Sequence, residues 1–365
     1  MKEVKKMVKR AIYITSTEEN SGKSAIAIAL ASITRELNMR AGYFKPIGLG
    51  SSLIPGREHV DEDVEVMKSI LKLKCDNDVL CPLILKRDEF LEGFTEADIE
   101  LYAKKIIESY KKASEDKEIM LIEGPHNLSV GSFLKCPVPK LAKDFNAEVL
   151  LIAKFKGDAI VDEIMQAQDY CMSWGTEIFG VILNRIPQDR MERVERVIKP
   201  FIEKREIKVL GLIPEDKALS ALTVREICDF IGGRVLAGKD GLDKTIEAVL
   251  IGAMTPESAA KYFRRAINEL VITGGDRTDI ILAALETGVS AVVLTGNLYP
   301  SVKVFPRADQ LNVPLILVPY DTYTTLQHVQ KIIGKIKPKD SRRIAIAIKL
   351  VKKYVYWKHI LQTET

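Results

Sequence analysis

Short, uninterrupted apolar runs recur along the chain, separated by longer stretches whose apolar residues fall at helical spacing. Ala11-Ile12-Tyr13-Ile14-Thr15 opens the series as a strand, and residues 24–37 follow as a helix with Ala, Ile and Leu on nearly every face. Residues 42–47, 119–123, 149–153, 178–184 and 208–214 repeat the strand form. Strands that are apolar on both faces and alternate with helices predict a doubly wound parallel sheet covered on both sides.

The rhythm continues on a smaller scale in the second half. Strands are predicted over 248–252, 270–273, 291–295 and 314–318, with helices over 256–267, 276–287, 302–312 and 323–335. The chain therefore divides into an α/β domain over 1–215, a smaller α/β domain over 216–337, and a basic tail over 338–365. The tail carries Ile344, Ile348, Val351 and Val355 on one helical stripe, which suits packing across the domain or in a dimer.

The densest chemistry lies in Thr15-Ser16-Thr17-Glu18-Glu19-Asn20-Ser21-Gly22-Lys23-Ser24, between a buried strand and a long helix. Backbone N–H groups of such a loop, with a helix N-terminus behind them, point at phosphate oxygens. Lys23 would reach the β- and γ-phosphates, and the Ser24 hydroxyl would help hold Mg²⁺. Ser16 or Thr17 stands where a phosphate loop usually opens with glycine. Ser16, Glu18, Asn20, Ser21, Gly22, Lys23 and Ser24 are the candidate nucleotide contacts.

This segment resembles the phosphate loop of dethiobiotin synthetase, an ATP-dependent enzyme that closes a ureido ring on a diamine using CO₂. Further pieces follow in that family's order. Gly42-Tyr43-Phe44-Lys45-Pro46-Ile47 resembles the strand whose lysine faces substrate and γ-phosphate. Asp61-Glu62-Asp63 and Ile122-Glu123-Gly124 resemble the acidic segments, implying Asp63 and Glu123 as magnesium ligands beside Ser24. Gly180-Val181-Ile182-Leu183-Asn184-Arg185 resembles the segment whose asparagine reads adenine, and Leu210-Gly211-Leu212-Ile213-Pro214 closes the domain. Lys23 and Lys45 are thereby the candidate catalytic cations, since charge stabilisation supplies most of phosphoryl-transfer catalysis. Two segments depart from the pattern. Gly124-Pro125-His126-Asn127 replaces a glycine-rich stretch, and Ile47-Gly48-Leu49-Gly50 lacks a serine that the family often places near its substrate.

In the second half, Ile272-Thr273-Gly274-Gly275-Asp276-Arg277-Thr278-Asp279 resembles the signature of the DRTGG domain, and Leu294-Thr295-Gly296-Asn297 its next strand-end loop. Gly274, Gly275, Asp276, Arg277, Thr295 and Gly296 form a candidate second ligand loop or, equally, a tight turn with Asp276 capping the next helix. Arg277 is suited to a carboxylate or phosphate. A synthetase-like domain followed by DRTGG resembles the N-terminal regulatory portion of long phosphate acetyltransferases. Within residues 1–365 no acetyltransferase domain is expected.

Composition changes the picture mainly by exclusion. A net charge of +4 over 365 residues makes no case for nucleic-acid binding. No apolar run approaches a membrane span, and the basic N-terminus precedes only a strand-length apolar run, so a cytoplasmic protein is expected. The five cysteines form no C-x-x-C pair, and His59, His126, His328 and His359 are too scattered for a metal site. Ser51, Ser52 and Ser129 have no base at motif spacing. Three readings stay open: an ATP sensor, an ATP-dependent enzyme acting on a small carboxylate or amine, and an assembly protein with a vestigial loop. ATP and Mg²⁺ are the expected cofactors. A homodimer is expected from the synthetase resemblance, with a protein partner reached through the DRTGG module.

Overall fold

The computed structural model describes residues 8–49, 61–85, 91, 94–265, 268–332 and 340–362. Ser51, Ser52 and His59 lie outside the described residues. The chain forms two compact units, one from the N-terminal region through Asp216 together with the C-terminal segment, the other from Lys217 onward.

The first unit is built on β1 (Arg10–Ser16), β2 (Ala41–Phe44), β3 (Ile47–Leu49), β4 (Leu83–Leu85), β5 (Ile119–Glu123), β6 (Glu148–Lys154), β7 (Ile178–Ile186) and β8 (Val209–Pro214). Six of these make one sheet in the order β2-β5-β1-β6-β7-β8. Every pairing in it is parallel, so all the C-terminal strand ends share one edge. Residues 11–16 are buried on both faces of β1, as the unbroken apolar run requires. Helix α1 (Lys23–Glu36) follows β1 and buries Ala25 to Ala31 without a break, and α2 (Glu62–Leu71) buries Val64, Val66, Met67 and Ile70.

The strand expected over 42–47 divides at Lys45-Pro46. Proline has no N–H for a ladder, and the Lys45 N–H turns aside to donate to the Leu80 carbonyl at 2.8 Å. Beyond the break, β3 pairs in parallel with β4 in a separate two-stranded ribbon.

The basic tail is not a free-standing third segment. Its helix Ser341–Tyr354 packs along α1. Val355 bridges Gly211 of β8, and the Tyr356 N–H donates to the Leu210 carbonyl at 2.8 Å. Val351 and Val355 of the expected stripe are buried and Ile344 and Ile348 half-buried, while Lys352 pairs with Glu36. The unit's own helix and sheet edge cover the C-terminal part of the stripe, while Ile344 and Ile348 line a cleft with Ser32 and Arg35 of α1.

The second unit holds β9 (Leu222–Thr223), β10 (Arg234–Ala237), β11 (Thr245–Ile246), β12 (Ala248–Ile251), β13 (Glu269–Gly274), β14 (Ala291–Thr295) and β15 (Leu315–Leu317). Its main sheet runs β10-β15-β14-β13-β12. Apolar layers cover both faces: Val271, Val292 and Leu294 belong to one cluster, and Leu270, Ile272, Ala291 and Val293 to the other. The alternation is what a strand's period of two dictates. One edge differs from the expectation of an all-parallel sheet, because β10 pairs antiparallel with β15. That strand is only four residues long, and its apolar run of Val235, Leu236 and Ala237 is too short to betray it.

Candidate functional site

The parallel sheet of the first unit delivers the residues of interest to its C-terminal edge, where α/β sheets open crevices for ligands. Beyond Ser16 the chain turns through Asn20 and Gly22, which have φ of 56° and 91°, before α1 begins at Lys23. Gly22 is irreplaceable sterically, since a Cβ there would lie 2.1 Å from Asn184 Nδ2. No acidic residue occupies the first turn of α1, so no carboxylate of the helix itself competes for its free N–H groups and positive dipole end.

Ser16, which replaces the usual glycine, gives its hydroxyl a structural task. It lies 3.0 Å from the carbonyls of both Glu18 and His126, tying the loop to the segment after β5. Glu18 is held by Lys156 at 2.6 Å and by Lys154 at 4.0 Å. Asn20 contributes its left-handed backbone, and its side chain is exposed. Asn184, at the end of β7, donates Nδ2 to the Ser21 carbonyl at 2.7 Å. One hydrogen of the amide expected to read adenine thus supports the loop, and its second hydrogen and the Oδ1 acceptor remain.

Glu123 is the hub of the site. Only 1% exposed at the end of β5, it accepts from the Ser24 hydroxyl at 2.7 Å through Oε1. The Lys23 ammonium stands 3.9 Å from the same oxygen. The Tyr43 hydroxyl donates to Oε2 at 2.9 Å. Burial raises the Glu123 carboxyl, and the negative charge of Asp63 adds to the shift; Lys45, Lys23 and the Ser24 hydrogen bond oppose it. Burial correspondingly lowers Lys23, against the pull of Glu123. The raised acid and lowered amine are the marks of charged groups gathered where water is scarce.

Lys45 lies alongside, buried between two aspartates. Its ammonium donates to Asp61 at 2.9 Å and to Asp63 at 2.6 Å. Burial alone would lower it, but Asp61, Asp63 and Glu123 together carry it well above the ordinary lysine value. Asp61 also caps α2, accepting the Asp63 N–H at 3.0 Å. The structure therefore brings Lys23, Ser24, Lys45, Asp63 and Glu123 into one cluster, as their order in the sequence suggested. Tyr43 and Asp61 were missed as functional residues. Tyr43 shares a strand face with Lys45 two residues on, and that period is the signal that could have found it.

Within the departing segment 47–50, Gly48 has a steric role. A Cβ there would lie 2.8 Å from both Asp61 Oδ2 and Cys81 Sγ, so the carboxylate that clamps Lys45 occupies the space a side chain would need. Among the described residues, no group of three or more His, Cys, Asp or Glu could hold a metal by itself. Ser24 and the carboxylates fit Mg²⁺, which favours hard oxygen donors and usually takes the rest of its shell from phosphates and water.

The second candidate loop lies in the other unit. Gly275 has a backbone role, because a Cβ there would meet the Leu298 carbonyl at 1.7 Å. Asp276 does not cap the next helix. Helix Thr278–Thr287 starts one residue too late, its N-cap is Arg277 with no side-chain cap, and the Asp276 carboxylate turns back toward Gly274. Arg277 takes a carboxylate partner within the chain, Asp279 at 3.1 Å, and reaches the Met254 carbonyl at 3.2 Å. Thr295 donates to the Thr273 carbonyl at 3.3 Å and lies 3.0 Å from the Thr322 hydroxyl, while the Gly296 N–H donates to Tyr320. These polar groups are spent on holding loops together.

Residues 10–223 match the AAA_26 family, described as an AAA domain. The chain belongs to that family. Residues 226–332 match the DRTGG domain, so the AAA domain is followed by the module its second glycine signature resembles. Phosphate acetyltransferase of Synechocystis sp. is 24% identical over 358 residues, 94% of this chain and 50% of that protein. Phosphate acetyltransferase of Nitratidesulfovibrio vulgaris is 25% identical over 366 residues, with the same shares. The chain thus spans about half the length of the curated relatives it matches. Among solved structures, the MinC:MinD cell division protein complex of Aquifex aeolicus aligns with a TM-score of 0.36 and 17% identity, over 57% of this chain and 83% of that one. No described helix of the AAA-family chain is long and apolar enough to cross a membrane.

Proposed function

We propose that the AAA domain binds Mg-ATP and acts as a sensor, its nucleotide state altering how the DRTGG domain meets a protein partner. The observation that carries this reading is the convergence of Ser24, Lys23 and Tyr43 on the buried Glu123 carboxylate. In this proposal Ser16, Glu18, Asn20, Ser21 and Gly22 shape the phosphate cradle, Lys23 holds the β- and γ-phosphates, and Asn184 lies at the base. Ser24, Asp63 and Glu123 would hold Mg²⁺, which supplies charge neutralisation on the phosphates when bound. The protein would work in the cytoplasm as a homodimer.

A working enzyme of dethiobiotin synthetase type is the second reading, favoured by the secured charge of Lys45 between Asp61 and Asp63. The departures at Ile47-Gly48-Leu49-Gly50 and Gly124-Pro125-His126-Asn127 favour the sensor instead, because they fall on the substrate side of the synthetase pattern. Acetyl transfer, the activity for which the relatives are named, is not proposed for these two domains.

Hydrogen exchange and ATP turnover, measured together on the full chain, separate the readings. A sensor gives slow hydrolysis and a change in DRTGG-domain protection on adding Mg-ATP. An enzyme gives turnover stimulated by one small carboxylate or amine. An assembly protein with a vestigial loop gives neither.

A further inference from the structure

Arg185 follows Asn184 at the end of β7, and three features set it apart. Leu183 pairs with Leu212 and Ile186 with Pro214, so the register slips and β7 holds one extra residue at Asn184-Arg185. Bulges of this kind recur beside active sites, where they re-aim side chains. Arg185 itself has φ of 57°, a conformation that strains any residue with a Cβ. Its half-buried guanidinium makes no hydrogen bond or ion pair with any described residue. Burial lowers its basicity, and Glu215 and Glu18 only partly offset that loss. A strained, partly desolvated cation without a partner is a group in want of a ligand.

Its place in the sheet says which part of a ligand it meets. In the order β2-β5-β1-β6-β7-β8, Lys45 follows β2 and Glu123 ends β5, both to one side of β1. Asn184 and Arg185 lie on the other side, two strands away. Neighbouring strands are ~4.8 Å apart, so β7 ends about 10 Å across the edge from β1, roughly the reach of ribose and base beyond the phosphates. A nucleotide with its γ-phosphate toward Glu123 and Lys45 therefore carries its base toward β7. Asn184 has committed one of its two amide hydrogens to Ser21, so it keeps one hydrogen and Oδ1 for a base edge and offers nothing to the face of the base. A planar guanidinium needs no edge, since it stacks on the face of any base.

We propose that Arg185 is the nucleobase contact of this site, its guanidinium stacked on the face of the bound base. The inference rests on the Mg-ATP reading above. Calorimetric titration of the full chain with Mg-ATP and with Mg-tripolyphosphate, which has no base, tests it. Arg185→Ala is expected to weaken Mg-ATP about tenfold and leave tripolyphosphate unchanged. Arg185→Lys, which keeps the charge and loses the plane, is expected to weaken Mg-ATP as well. Arg185→Gly suits φ of 57° and guards against misfolding of the alanine variant. Equal losses for both probes would make Arg185 a phosphate ligand and overturn the inference. So would unchanged Mg-ATP affinity in both Ala and Gly variants, or full retention by lysine. Failure of the wild type to bind Mg-ATP at all would remove the Mg-ATP reading, and this inference with it. Normal wild-type binding with an unaltered ratio between the two probes would remove this inference alone.

Discussion

Tyr43 donates its phenolic hydrogen to Oε2 of Glu123 across 2.9 Å, with both residues sealed from solvent. The bond commits one carboxylate oxygen to the protein interior and leaves the other facing Ser24 and Lys23. Tyr43 is therefore a positioning residue for the carboxylate. Tyr43→Phe keeps the ring and removes the donor. It is expected to lower the unfolding free energy by about 1–2 kcal/mol in urea titration, the cost of an unmet buried acceptor. Mg-ATP affinity should fall several-fold in the same variant. Unchanged stability and affinity would mean that Ser24 alone orients Glu123.

Lys45 holds together two carboxylates that would otherwise repel each other, one of them buried. Lys45→Met keeps most of the side-chain volume and leaves Asp61 and Asp63 uncompensated. A loss of about 3 kcal/mol in urea unfolding is expected, since removing one member of a buried ion pair strands the other. The double variant Lys45→Met with Asp61→Asn should recover part of it. A loss below 1 kcal/mol would show that water reaches the pair freely.

Glu123 supplies a pH signature. Burial first, and Asp63 second, raise its carboxyl above the ordinary value of 4.5 in the folded protein. A raised carboxyl binds its proton more tightly folded than unfolded. The stability it contributes is present below 4.5 and is lost as the pH rises through the folded value. In ligand-free protein, the stability of wild type minus that of Glu123→Gln should therefore fall as pH climbs out of the ordinary carboxylate range. Thermal melts at stepped pH read this difference. A flat difference, or one that grows with pH, contradicts the placement of Glu123 in a dry site.

Gly48 is expected to reject any side chain, serine included. Gly48→Ser pushes a Cβ to 2.8 Å from Asp61 Oδ2 and Cys81 Sγ. A destabilisation of about 1–3 kcal/mol should follow, as for other overpacked sites. Full stability of Gly48→Ser in urea unfolding would show that Asp61 and Cys81 yield readily and do not fill that space.

The cluster around Glu123 was legible because its members are tied to local signals. Lys23 and Ser24 follow a strand and open a helix, and Lys45 and Glu123 sit at the ends of apolar runs. The basic tail's apolar stripe was legible too, but nothing in one sequence says which surface it covers. Asp61 was hidden behind Asp63, since a helix cap and a clamp for a distant lysine look alike in sequence. Asp276 misled for the opposite reason: its residue type suits a cap, yet the following helix begins one residue too late. Arg185 drew no notice, because a bulge and a positive φ are products of strand pairing and not of composition. The antiparallel β10 was missed because one arginine and three apolar residues carry too little pattern to announce a strand.

The central claim is that Gly22, Lys23 and Ser24 form a working phosphate site around Glu123. Calorimetric titration of Mg-ATP into the wild type and into Lys23→Ala tests it most directly. The account predicts micromolar binding by the wild type, about −8 kcal/mol, and loss of most of that affinity in the variant. Absence of binding in the wild type, or equal binding in both proteins, would contradict it.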